Sequence, residues 1–195
     1  MIRPFSMLLL LLALAGCGGD PSPPALAAPE PIASGDSCHV CGMLITEHPG
    51  PKGEAFLDGA ERPRKFCSTL ELFVFLAQPE NASRLSHAYV HDIGKTTWGR
   101  PADEAFIRAE EAWYVVGHDR RGSMGHTLAS FAGREDADAF RDAHGGEVIA
   151  YADIDLALLG RLGRGEPSRG PGPEDHGGMT PQGDHGAHGD MTDSP

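Results

Sequence analysis

The chain has 195 residues, a formal net charge of −12 and four cysteines. This acidic balance excludes a nucleic-acid-binding surface, which needs a basic footprint, and suits a soluble face that concentrates cations. Between Pro- and Gly-rich flanks lie about 120 residues with periodic apolar signals, enough for one compact domain or two very small ones.

Arg3 is the sole charge ahead of a short apolar run, Met7 to Leu14, which is too short to span a bilayer with certainty. The run ends in Leu14-Ala15-Gly16-Cys17, small residues ahead of a cysteine. That pattern makes residues 1–16 a lipoprotein signal peptide and Cys17 the lipidated first residue of the mature chain. The competing reading is an ordinary secretory signal with an incidental cysteine. Several acyl chains on one residue anchor durably, and Gly18 rather than Asp after Cys17 points, by sorting convention, to the outer membrane. Residues 17–36 then form a proline-rich tether, expected to be extended and poorly ordered.

The middle of the chain reads as an α+β fold of two similar ββαβ units. In residues 37–93, Glu54 to Asp58 and Arg64 to Phe66 are short strands. Ser68 caps a helix from Thr69 to Ala77 with Glu71 three residues on, Pro79 stops it, and Ala88 to His91 closes the unit. Residues 94–111 are a connection. In residues 112–160, Ala112 to Val116 is a buried-strand run and His126 to Phe131 a second strand. A helix from Arg134 to Ala143 follows, ended by Gly145 in a left-handed cap, and Glu147 to Tyr151 is the last strand. Phe66 and Phe131 hold matching places ahead of the two helices. One α+β domain whose halves agree by chance is the alternative. Residues 161–195, rich in Gly, Pro, His and Asp, read as a disordered tail.

The sharpest chemical signal is Ser37-Cys38-His39-Val40-Cys41-Gly42-Met43. Two cysteines at this spacing can aim their sulfurs at one point, Gly42 permits a tight turn, and Met43 adds a thioether; thiolate and thioether are soft donors matched to Cu(I). Structural zinc competes, but a zinc ribbon needs a second cysteine pair or a histidine pair. A thioredoxin-type redox pair competes too, although Pro49, Gly50 and Pro51 follow where such a motif opens a helix. So does a plain structural disulfide. A second signal is Gly122-Ser123-Met124-Gly125-His126, a turn before a strand. Met124, flanked by small residues, is a candidate ligand beside the alternative of core filler; His126 adds an imidazole or is a surface histidine at a strand start. Cys67 stands just before the first helix, where amide groups lower a thiol pKa, and reads as a buried structural thiol. His176, Met179, His185, His188 and Met191 form a possible secondary metal-capturing tract in the tail, or a plain low-complexity spacer.

The lipobox, the Cys38-to-Met43 motif, Ala112 to Val116, Ser123-Met124-Gly125 and the Phe140-to-Gly146 block together resemble the NosL family over residues 38–159. The resemblance implies a Cu(I) chaperone rather than an enzyme. Its client would be the multicopper centres of nitrous oxide reductase, reached through a membrane ABC-type assembly complex from a periplasm-facing lipid anchor. It also implies two ββαβ units, with Cys38, Cys41 and Met43 in the motif's metal-binding places and Met124 as the methionine of the later turn. Cys67 and the His/Met tail depart from the pattern. A periplasmic thiol oxidoreductase using Cys38 and Cys41, or a zinc-stabilised interaction module, are the alternatives.

Overall fold

In the computed structural model, residues 26–166 are described. The signal peptide, Cys17 and the His/Met tract from His176 to Met191 lie outside them.

The first unit is built on β1 (Gly53–Leu57), buried along its whole length between two antiparallel neighbours, β2 (Arg64–Phe66) and β3 (Leu85–His91). Helix α1 (Thr69–Leu76) begins at Ser68, whose side chain accepts from the Glu71 amide and whose hydroxyl donates to the Glu71 carboxylate at 2.6 Å. The local capping pattern thus sets the helix start. The helix lies tightly on the sheet because Gly53 leaves room for it: a Cβ there would stand 2.6 Å from Leu72 Cδ2. Pro79 does more than stop the helix, since its fixed φ opens a short second turn, α2 (Pro79–Ala82). Within the segment expected to be mere connection, β4 (Phe106–Arg108) adds to β3, giving the order β2-β1-β3-β4.

The second unit repeats the plan. β5 (Trp113–Val116) lies between β6 (Ala129–Phe131) and β7 (Glu147–Ala150), all antiparallel. Helix α3 (Arg134–His144) stands between β6 and β7 in sequence and ends at Gly145, whose φ of 72° is the left-handed region that glycine tolerates. In both units the first strand is central and the ββαβ order holds, as the apolar periodicity predicts.

The two units share one core. Phe66, Leu72 and Phe73 of the first pack with Tyr114, Val116 and Leu128 of the second. Four side-chain hydroxyls cross between them. Thr69 Oγ1 donates to the Leu128 carbonyl at 2.6 Å and lies 2.8 Å from Thr127 Oγ1. Ser130 Oγ donates to the His91 carbonyl at 2.6 Å, and Ser123 Oγ to the Cys67 carbonyl at 3.0 Å. A smaller cluster of Trp98, Val115, Ala129, Phe131 and Ala137 fills the space beneath α3.

Two expected boundaries shift. The chain from Ala27 onward is seated on the first sheet rather than trailing as a tether. The Ala27 carbonyl meets Tyr89 OH at 2.8 Å and His87 Nε2 at 3.0 Å, and the Glu30 amide donates to buried Glu54 at 2.9 Å. Lys65 Nζ donates to the Pro31 carbonyl and to Asp36, both at 2.7 Å. The reason is electrostatic: a buried lysine and a buried glutamate need partners, and a proline-rich strand has free backbone groups to offer. At the other end, α4 (Leu156–Arg164) runs across the expected start of the tail. Asp155 caps it by accepting from the Leu158 amide at 2.7 Å, and Leu158, Leu159 and Leu162 enter the shared core.

Candidate metal centre

The Cys38-to-Met43 segment forms a tight hairpin. The Cys38 amide donates to the Met43 carbonyl at 2.8 Å, the Gly42 amide returns to the Cys38 carbonyl at 2.9 Å, and Ser37 bridges Leu44. Gly42 takes a φ of 75°, which closes the turn without strain. The His39 amide donates to the Lys65 carbonyl at 2.9 Å, fastening the hairpin to the end of β2. Cys67 follows the last residue of β2, immediately before the α1 cap.

This placement makes a three-thiol centre. The sulfurs of Cys38, Cys41 and Cys67 all lie within 4.8 Å of one another, and Cys41 Sγ is 3.5 Å from Cys67 Sγ. Cys67, read from the sequence as a structural thiol, is therefore a member of the cluster. Its position between a strand and a helix cap was the available signal, but only the β2–hairpin contact reveals that it faces the cysteine pair. Cys38 and Cys67 are buried, whereas Cys41 is partly open.

The thiols are electrostatically unlike. A hydrogen bond from the Cys67 thiol, joined by amides of Cys41, Cys67 and Val40 and opposed by burial, brings Cys38 down to about 4. Cys67 moves the opposite way, held protonated by the bond it gives Cys38, by burial and by the Glu71 charge. Glu71 Oε2 is 3.3 Å from Cys67 Sγ. Behind them, buried Lys52 donates to the carbonyls of His48, Pro49 and Cys67 at 2.6, 3.1 and 3.1 Å. Burial lowers Lys52 to about 8, against the pull of the two cysteines, Cys67 and Cys38, and of Glu71.

Met43 sits half-buried against the shared core, across the hairpin from Cys38. Met124 is 55% exposed at the tip of the Gly122–Gly125 turn, where Gly125 has a φ of 101°. Ser123 ties that turn to the Cys67 carbonyl, which sets the turn of the second unit beside the cysteine that ends β2. His126 is not brought into the thiol group; its Nε2 lies 3.4 Å from where a Cβ would stand at Gly165, against the end of α4. His87 and His91 are buried in β3, and His118 lies beneath Trp98 and Phe140.

A family model named NosL matches residues 29–159, two thirds of the chain. The chain belongs to the NosL family. It is 42% identical over 183 residues to the copper-binding lipoprotein NosL of Stutzerimonas stutzeri, covering 92% of this chain and 90% of that one. It is 41% identical over 124 residues to the copper-binding lipoprotein NosL of Achromobacter cycloclastes, covering 62% and 64% of the two chains. Among solved structures, the crystal structure of the copper chaperone NosL from Shewanella denitrificans superposes with a TM-score of 0.66 at 44% identity, covering 69% of this chain and 99% of that one. The two-unit architecture is thus shared with a NosL protein of known structure.

Proposed function

We propose that this protein carries Cu(I) as cargo in the three-thiol centre, held by Cys38, Cys41 and Cys67 with Met43 and Met124 at its edge. The observation that carries the reading is the convergence of three cysteine sulfurs within 4.8 Å beside a turn that exposes a methionine. The chemistry of the donor set fits. Thiolate and thioether are soft, few-ligand donors that suit Cu(I) over hard divalent ions. Structural zinc favours a closed tetrahedron of four ligands, and no imidazole or carboxylate joins the three sulfurs within 4.8 Å among the described residues.

Exchange follows from the electrostatics. A metal ligand must be deprotonated, and Cys38 already is. Lys52, its ammonium on the Cys67 carbonyl, supplies positive charge at neutral pH behind a Cu(I)–thiolate centre whose own charge is negative. Cys41 is partly open and Met124 exposed, so an incoming sulfur or imidazole can enter before the outgoing one leaves. The protein is a carrier, not an enzyme. Its client is nitrous oxide reductase, reached through a membrane ABC-type assembly complex, and a lipid on Cys17 holds it at the periplasmic face of the outer membrane. Support for that setting is the lipobox sequence and the kinship with copper-binding lipoproteins.

The test is competition against a Cu(I)-specific chelator under reducing, anaerobic conditions. One tight equivalent is expected for the wild type, with most affinity lost in Cys38→Ser and a partial loss in Met124→Leu. Equal affinity in wild type and Cys38→Ser would sink the assignment of the centre.

A further inference from the structure

Cys41 and Cys67 stand on separate elements, 26 residues apart in the chain, with their sulfurs 3.5 Å apart. A disulfide needs about 2 Å, so the gap to close is small. Cys67 is the fixed partner: it is fully buried, and its carbonyl is held by both Lys52 and Ser123. Cys41 is the movable one, next to Gly42 at the tip of the hairpin and the only one of the three thiols that is not buried. Cys38 is pinned on both sides of its peptide by the hairpin bonds and is 3% exposed.

We propose that Cys41 and Cys67 form a thiol–disulfide exchange site that reacts with an external disulfide when the centre is empty of metal, and that bound copper blocks it. In the first step Cys41 attacks one sulfur of the incoming disulfide RSSR. The S–S bond breaks, a Cys41–S–S–R bond forms, and the Cys41 proton leaves with the departing sulfur as RSH. In the second step Cys67 passes its proton to the Glu71 carboxylate 3.3 Å away and attacks the Cys41 sulfur as thiolate; the mixed disulfide breaks, the Cys41–Cys67 bond forms, and the departing RS⁻ takes that proton and leaves as the second RSH. Two cysteine thiols are oxidised and one disulfide is reduced to two thiols, with no other co-reactant. Access explains the order, because an outside disulfide reaches only the open thiol. The product leaves Cys38 as the one free sulfur of the three. The last clause, that copper and the disulfide exclude one another, rests on the copper reading above; the pairing itself does not.

The experiment treats the full-length protein, reduced and metal-free, with oxidised glutathione, then blocks free thiols and maps linkages by mass spectrometry. Loss of two thiols with a Cys41–Cys67 crosslinked peptide is expected, while Cys67→Ser stops at a glutathione adduct on Cys41. A Cys38–Cys41 crosslink, or three thiols still free after treatment, overturns the pairing without need of any variant. Protein loaded beforehand with Cu(I) should keep its thiols. If it crosslinks at the same rate as the empty form, the exclusion fails and with it the copper reading, whereas the exchange pair stands.

Discussion

The hydroxyl of Thr69 lies at the joint between the two units and makes three contacts at once. It donates to the Leu128 carbonyl at 2.6 Å, accepts from the Leu128 amide at 3.2 Å and lies 2.8 Å from Thr127 Oγ1. All are buried, and Thr69 has no exposed surface. Thr69→Val keeps the shape of the side chain and opens no cavity, so the change isolates the polar contribution. Each buried group left without a partner costs about 1–3 kcal/mol. The Thr127 hydroxyl and the Leu128 backbone lose a partner together, and shared relaxation keeps the costs from adding fully. The expected loss is therefore about 3 kcal/mol, close to 10 °C in Tm for a domain of this size. Urea unfolding followed by circular dichroism measures it, with an unchanged slope confirming that the folded state is intact. A loss below about 0.5 kcal/mol would refute the idea that this hydroxyl couples the units.

Ser123→Ala should weaken Cu(I) binding roughly tenfold, the equivalent of one net hydrogen bond, and should do nothing further in a Met124→Leu background; additive losses in chelator competition would show that the serine does not act through Met124. Burial holds His91 down to about 3 and His118 down to about 4, against an ordinary 6.5. The unfolded chain therefore takes up protons first as pH falls, and stability present above pH 6.5 is lost on the way towards pH 4. At pH 5 the loss is about 2 kcal/mol per ring relative to pH 7, and denaturant midpoints that stay flat over this span would contradict neutral buried rings. Removal of residues 167–195 should leave the melting temperature unchanged. Leu162→Ala in α4 should cost about 3 kcal/mol, and a silent Leu162→Ala in thermal melts would mean that α4 is not part of the core.

Short-range chemistry was the legible part of this sequence. The Ser68–Glu71 cap, the glycine at the end of α3 and the short apolar runs of β1 and β5 act over a few residues, and each stands where the pattern places it. The turn of the Cys38-to-Met43 hairpin was equally readable, because Gly42 marks it. What failed was long-range. Cys67 joins the centre only because β2 runs beside the hairpin, a pairing between residues 39 and 65 that no local pattern carries. The tether acquired structure from Lys65 and Glu54, charges buried elsewhere in the chain. The last helix was hidden by its glycines, Gly160 and Gly163, which weaken the helical signal although Leu158, Leu159 and Leu162 share one buried face. His126 stands two residues after Met124 in sequence, but beyond the Gly125 turn the chain carries its ring to the end of α4 beside Gly165 and not into the thiol group.

The four hydroxyls that cross between the units have a geometric meaning beyond their strength. Apolar surfaces packed together can slide by a fraction of an ångström at little cost, because dispersion is weakly directional. A hydroxyl donating to a backbone carbonyl has a narrow range of distance and angle. Thr69, Ser123, Thr127 and Ser130 therefore act as locating pins, keying one unit to the other at points spread along the joint. The thiols belong to the first unit and Met124 to the second, so the spacing between them is a tolerance set by those pins. Coarse adhesion comes from the shared apolar core, and alignment comes from side chains of only two or three heavy atoms.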